Sequence, residues 1–204
     1  MGVDLNVSKI AQGWRAGTFA GSVAIALLSA TPAFAPPPPP KPMPADISLD
    51  LALQGAQAAM AACAKIREHV AVAVVDRAEH IRVLLVADGY DRDWLQSVQR
   101  QAHTVLKTGM SSGDYGNSLN HDPRRILAAE NADRDEQTAQ GVRVPILMQP
   151  TPGAVPVMKA GVLVGVVSVS GNGPNSPYGY EYMGQVEPCA IVGRDKILSG
   201  LNSR

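Results

Sequence analysis

The stretch Val155-Pro-Val-Met158, Lys159-Ala160-Gly161, Val162-Leu-Val-Gly-Val-Val-Ser-Val-Ser170 decides the fold. Two runs rich in β-branched residues flank a short connection in which Gly161 can take a positive φ, so they read as an antiparallel hairpin. Working back, Val70-Ala-Val-Ala-Val-Val75 ends at Asp76, the polar turn Arg77-Ala-Glu-His80 follows, and Ile81-Arg-Val-Leu-Leu-Val-Ala87 makes a second hairpin strand. Val144-Pro-Ile-Leu-Met148 has a similar composition and reads as the point where the sheet resumes. Helices flank these runs. Ser48 caps a first helix whose apolar or small residues Leu53, Ala56, Met60 and Cys63 recur at helical spacing through Ile66, with His69 at its end. Trp94 to Lys107 reads as a second helix with Leu95, Val98, Ala102, Val105 and Leu106 on one side, and Val186 to Leu201 as a third. The polar segment Gly109 to Gln140 reads as irregular, with one short helix around Arg124 to Asn131. Adjacent short strands with tight turns pair antiparallel and helices cover the sheet, so the fold class is α+β, a single domain.

Composition narrows the function. The chain has 204 residues, 18 Lys+Arg against 18 Asp+Glu, and 4% aromatic residues. A net charge of zero removes the long-range field that draws a protein to nucleic acid, and a core poor in aromatics rests on Ala, Val, Leu, Ile and Met. A small molecule or a protein is the expected partner.

Residues 1–35 read as a signal peptide. Lys9 and Arg15 precede the uncharged run Ala16 to Ala30, and Ala33-Phe34-Ala35 has the small-x-small pattern of a cleavage site. A run of about fifteen residues falls short of the roughly twenty needed to span a bilayer, so no stable transmembrane segment is expected after its removal. Residues 36–45 form a Pro-rich linker, stiffened by the seven prolines between Pro36 and Pro44. The globular part is 46–204, and the expected location is periplasmic or secreted. Cys63 and Cys189 are compatible with either a disulfide in an oxidising compartment or two buried thiols.

Familiar catalytic patterns are missing. His69, His80, His103 and His121 lack zinc-site spacing, Gly171-Asn-Gly173 is followed by Pro174 instead of a helix, and no Gly-x-Ser-x-Gly elbow occurs. His121 reads as an exposed loop residue. The tyrosines Tyr178, Tyr180 and Tyr182 read as a loop, an interface strip or a lid.

Several segments together carry a resemblance: Val72-Ala-Val-Val-Asp76 with His80-Ile81, then Gln101-Ala-His-Thr104, then Gly153-Ala-Val-Pro156-Val, then Gly161-Val-Leu-Val-Gly165-Val-Val-Ser-Val-Ser-Gly171, and finally Cys189-Ala190 ahead of Gly193. They resemble the GlcG-like family of haem-binding or haem-degrading proteins over roughly residues 47 to 200. The chain departs from the pattern at Arg77-Ala78-Glu79, where the family's D-x-G-G-H has its glycines, and at Gln101-Ala-His-Thr-Val105, where the family's helix reads K-A-x-T-A.

The resemblance implies a profilin-like or PAS-like antiparallel sheet packed with helices, assembly into a homo-oligomer, and haem as cofactor. Haem iron takes His, Met, Tyr or Cys ligands, and the propionates take basic or hydroxyl groups. His80 and His103 are the candidate iron ligands, and Thr104 and Arg100 are candidates to flank the cofactor. The ordinary alternatives are a turn histidine for His80, a solvent-facing helix residue for His103, and a hydroxyl bonding back to a helix carbonyl for Thr104. The late hairpin and the second helix are expected to shape the recess. Three functions fit: an exported haem or tetrapyrrole binder, an enzyme on a small organic substrate using Asp76 or a histidine as acid or base, and a non-catalytic oligomeric accessory protein.

Overall fold

The computed structural model describes residues 47–66, 69–91, 95–172 and 186–203. The signal peptide and linker expected over residues 1–45, and the tyrosines at 178, 180 and 182, lie outside them. Among the described residues nine elements follow in order: α1 (Leu49–Lys65), β1 (His69–Asp76), β2 (Ile81–Val86), α2 (Leu95–Thr108), α3 (Ser112–Ser118), α4 (Pro123–Ala139), β3 (Ala154–Lys159), β4 (Val162–Asn172) and α5 (Glu187–Asn202). The strands form one antiparallel sheet in the order β2-β1-β4-β3. This is the expected α+β class. Among the described residues no helix is long and apolar enough to cross a membrane.

Both predicted hairpins are present. β3 turns into β4 through Ala160 at φ 49 and Gly161 at φ 78, two successive left-handed residues that match the twist of the paired strands. β1 is buried from Val70 to Asp76, and alternation divides it between two layers. Val70, Val72 and Val74 join Val167 and Val169 against α1 and α5, while Ala71, Ala73 and Val75 face Val98, Ala102 and Val105 of α2. The alanines leave room for α2 to lie close to the sheet.

On the first layer α1 and α5 come into close contact at glycines. A Cβ on Gly193 would lie 2.8 Å from the Gly55 carbonyl oxygen, and one on Gly55 would lie 2.5 Å from Ile197. The buried face of α1 is therefore Leu51, Ala52, Gly55, Ala56, Ala59 and Cys63. The expected stripe placed Leu53 inside; it is exposed, because the small residues turn toward α5 and carry Leu53 to the outer side. Cys63 and Cys189 form a disulfide between the two helices, with Cα atoms 5.6 Å apart.

Three further expectations are corrected. The polar segment after Gly109 holds two helices: α3, capped by Ser111, and α4, which is 17 residues long and capped by Asp122 with Pro123 in its first turn. Its low apolar content hid its length. Val144 to Met148 is not a strand. Side chains satisfy its backbone in place of a neighbouring strand: Gln137 accepts from the Ile146 N–H at 2.9 Å and donates to its carbonyl at 2.8 Å, and Arg100 donates to the carbonyls of Leu147 and Met148. His69 opens β1 instead of ending α1, and its Nδ1 lies 2.7 Å from the Asp88 carbonyl oxygen.

Candidate functional site

Asp76 ends β1 and organises the turn into β2. Its Oδ1 accepts from the N–H groups of Ala78 and His80, both at 2.9 Å, and its carbonyl accepts from the Glu79 N–H at 3.0 Å. Burial pushes the Asp76 carboxyl up, but the hydrogen bonds from the His80 and Ala78 backbone outweigh it and leave the group below its ordinary value. Asp76 is thus a carboxylate that holds a turn, which suits it poorly to accepting a proton from a substrate.

The same carboxylate orients His80. Asp76 Oδ2 lies 3.3 Å from His80 Nδ1 and 3.7 Å from an Arg82 nitrogen, and the His80 side chain is 76% exposed. With Nδ1 turned to the carboxylate, the ring presents Nε2 to solvent. A carboxylate behind an imidazole is the arrangement that sets the tautomer of a metal-binding histidine.

His103 is in a different situation. It is buried on α2 instead of facing solvent, and both ring nitrogens are engaged. Nδ1 lies 2.7 Å from Glu79 Oε1, and Nε2 lies 2.8 Å from Asp133 Oδ2 on α4. Two carboxylate partners favour two N–H donors and hence the imidazolium form of the ring; the Gln137 amide nitrogen also lies 3.2 Å from Nε2. Burial lowers its pKa, but the bonds to Glu79 and Asp133 more than reverse this and hold it above the ordinary histidine value. Lys107 Nζ sits 2.8 Å from Glu136 and 3.4 Å from Asp133 Oδ1; the bond to Glu136 outweighs burial and raises its pKa. Gln137 Nε2 donates to Asp133 Oδ2 at 2.7 Å, so that oxygen carries two contacts, while the buried Oδ1 has no hydrogen-bond partner among the described residues and only the Lys107 ammonium near it.

Glu79 occupies the family's glycine position at φ 66, in the left-handed region that side chains rarely adopt. Its contact with His103, which fills the variable place of the helix motif, holds the turn onto α2. The residue that departs from the motif at 79 and the residue at 103 are thus in direct contact in this chain. Neither signals the other in the linear sequence.

Thr104 and Arg100 support the chain beyond α4. The Thr104 hydroxyl donates to the Arg100 carbonyl at 2.9 Å, the helix back-bond, and accepts from the Gln149 N–H at 2.8 Å. The Arg100 guanidinium reaches the Leu147 and Met148 carbonyls and lies 3.5 Å from Glu130. His121, at φ 51, contacts Asn117 at 2.8 Å on the exposed surface. Among the described residues no group of three or more His, Cys, Asp or Glu side chains is placed to hold a bare metal ion.

An open recess of about 280 Å³ is lined by Arg77, Ala78, Glu79, His103, Leu106 and Lys107; of the expected site residues only His103 is in its lining, while His80, Thr104 and Arg100 are not. It lies between the β1–β2 turn and α2, with no residue of the late hairpin in its lining. Sequence reasoning missed Glu79, Lys107 and Asp133. The last belongs to a segment that reads as a solvated charge run, and only the approach of α4 to α2 gives it a role.

A family described as haem degrading protein HbpS-like matches residues 47–176. No protein of curated function matches the chain. Among solved structures, a double mutant of HbpS from Streptomyces reticuli is 23% identical with a TM-score of 0.56, over 81% of this chain and 97% of that one. Klebsiella pneumoniae protein ORFY is 18% identical with a TM-score of 0.57, over 78% and 96%. A PduOC:heme complex is 15% identical with a TM-score of 0.51, over 73% and 95%. At these identities the three likenesses establish a shared fold.

Proposed function

We propose, from the premise that this chain belongs to the HbpS-like family of haem-degrading proteins, that it binds haem or a related tetrapyrrole on the surface around the β1–β2 turn, with His80 offered to the iron. The observation that carries this reading is the Asp76–His80 pair: an exposed imidazole whose Nδ1 faces a carboxylate and whose Nε2 points outward. The donor set fits haem iron, which accepts a single protein nitrogen on one face and so needs no cluster of ligands. Bound there, the haem would supply its iron chemistry and the protein would supply position.

The other candidates take supporting roles. His103 has both nitrogens engaged and holds the recess floor as an imidazolium, while Arg100 and Thr104 brace residues 147–149 behind it. A recess of about 280 Å³ falls just below the roughly 300–1,000 Å³ of pockets that enclose a small molecule, so it would cover only one edge of a macrocycle. The uncovered part of the macrocycle would be open to a second copy of the chain, the homo-oligomer that the family resemblance implies. Action outside the cytoplasm is supported by the leader pattern of residues 1–35 and by the Cys63–Cys189 disulfide, a bond that persists in oxidising compartments.

Haemin added to the purified chain is expected to give a shifted, saturable Soret band. His80→Ala should abolish the iron-ligand part of that shift, and Asp76→Asn should weaken binding by about tenfold or more, the usual cost of losing a carboxylate behind a metal-bound histidine. An unshifted spectrum in the parent protein would sink the proposal.

A further inference from the structure

Three of the six residues lining the recess are basic, and carboxylates of the chain face His103 and Lys107 among them. Those carboxylates differ in how firmly they are fixed. The Asp133 side chain is 2% exposed, accepts from both His103 and Gln137, and sits on the buried face of α4, where water cannot replace it. The Glu79 side chain is 30% exposed and reaches His103 from a turn. The imidazolium therefore has one permanent carboxylate and one that solvent, or another anion, can reach.

We propose that Glu79 is an internal stand-in for a ligand carboxylate: a guest carrying such a group displaces Glu79 from His103 Nδ1 and docks on His103 and Lys107. Exchanging one carboxylate for another keeps the charge-assisted hydrogen bond to the ring, while Asp133 continues to pair with Nε2. Glu79 loses little by moving into water, because its side chain is already partly exposed and the turn that carries it is held by Asp76 and the backbone. Lys107 is partly exposed, with its closest partner Glu136 also at the surface, so it can accept a second oxygen of the guest. Arg77 adds positive charge to the same rim, and Leu106 supplies an apolar wall beside it. No neutral group in the recess would recognise a guest without a carboxylate in this way.

For the identity of the guest this inference rests on the tetrapyrrole reading, where the groups held would be the propionates; recognition of a carboxylate rests on the recess alone. The experiment separates the two. Haemin and haemin dimethyl ester are titrated into the full chain, into Glu79→Gln and into Lys107→Gln. Haemin is expected to bind at least about tenfold more tightly than the ester, the factor carried by one charge-assisted hydrogen bond. Glu79→Gln should tighten haemin but not the ester, because the internal competitor loses its charge, and Lys107→Gln should weaken haemin alone. Equal affinity for haemin and ester in the parent chain, or haemin affinity unaltered by Glu79→Gln, overturns the inference and leaves tetrapyrrole binding standing. In parallel, the ring resonances of His103 are followed by NMR as propionate ion is added. If haemin fails to bind but propionate shifts those resonances, and does so at lower concentration in Glu79→Gln, the tetrapyrrole reading falls and the carboxylate site stands. If propionate leaves them unmoved in both chains, the site falls as well.

Discussion

The two helical layers on this sheet are held by opposite means. On one face α1 and α5 meet through glycines and small apolar residues, share a core of valines with the sheet, and are joined by Cys63–Cys189. On the other, α2 packs its apolar side on the sheet but receives α4 through charge: the only residues of α4 that are buried are Asp133 and Gln137, both polar. The difference teaches where stability and chemistry reside. Apolar burial without charge stabilises and recognises nothing, whereas a buried carboxylate facing an imidazolium stabilises only while its partners remain, and so creates a site that responds to protons and anions.

Reduction of the disulfide tests the first half of that contrast and carries the largest expected effect. The bond closes a loop with a sequence separation of 126. Replacing both cysteines by alanine should lower unfolding free energy by about 4–5 kcal/mol, the chain-entropy value for a loop of that size. Urea denaturation of the oxidised and alanine forms would show it, and a loss below about 1 kcal/mol would mean that the apolar layer needs no staple.

An intermediate effect should come from the charged layer. Because the folded-state pKa of His103 is raised, its contribution is fully present below the unfolded-state value and is lost as pH rises through the folded one. Asp76 behaves oppositely: its folded pKa is lowered, so its contribution is present above the unfolded value and disappears as pH falls through the folded one. Stability is therefore expected to fall on the alkaline side through His103 and on the acid side through Asp76. His103→Gln should remove the part of the alkaline limb that begins near the ordinary histidine range, leaving the loss at higher pH that the raised pKa values of Lys107 and Tyr90 contribute. It should cost about 1–3 kcal/mol at neutral pH, as a buried carboxylate loses a charged donor. Denaturant midpoints across the pH range measure both, and an alkaline limb unaltered by the substitution would place the titrating group elsewhere.

The smallest effect is expected on the outer side of α4. Leu127 is 56% exposed, so Leu127→Ala should change stability by less than about 0.5 kcal/mol. A larger loss would show that α4 docks through apolar contact as well as charge, and the contrast between the layers would weaken.

Both hairpins, the capped first helix and α2 were legible from local pattern. Val70 to Val75 and Val162 to Ser170 could hardly be anything but strands, and Gly161 marks its own turn. Misreadings cluster where polar side chains replace the usual partners. Val144 to Met148 has the composition of a strand but takes its hydrogen bonds from Gln137 and Arg100. α4 has too few apolar residues to declare itself, since the face it buries is Asp133 and Gln137. Of the candidate site, His80 beside Asp76 was readable because both lie in one turn, while the engagement of His103 by Glu79 and Asp133 was not.

The sequence by itself determined the strands, their antiparallel pairing and the resemblance that led to the family, because β-branched runs, turn glycines and short connections act through neighbours in the chain. Only the tertiary structure decided that Cys63 meets Cys189, that a recess lies beside the first hairpin, and that His103 stands between two carboxylates. Those contacts join residues 24, 30 and 126 positions apart. Pairing across such separations depends on how whole elements pack, a choice on which local composition has no hold.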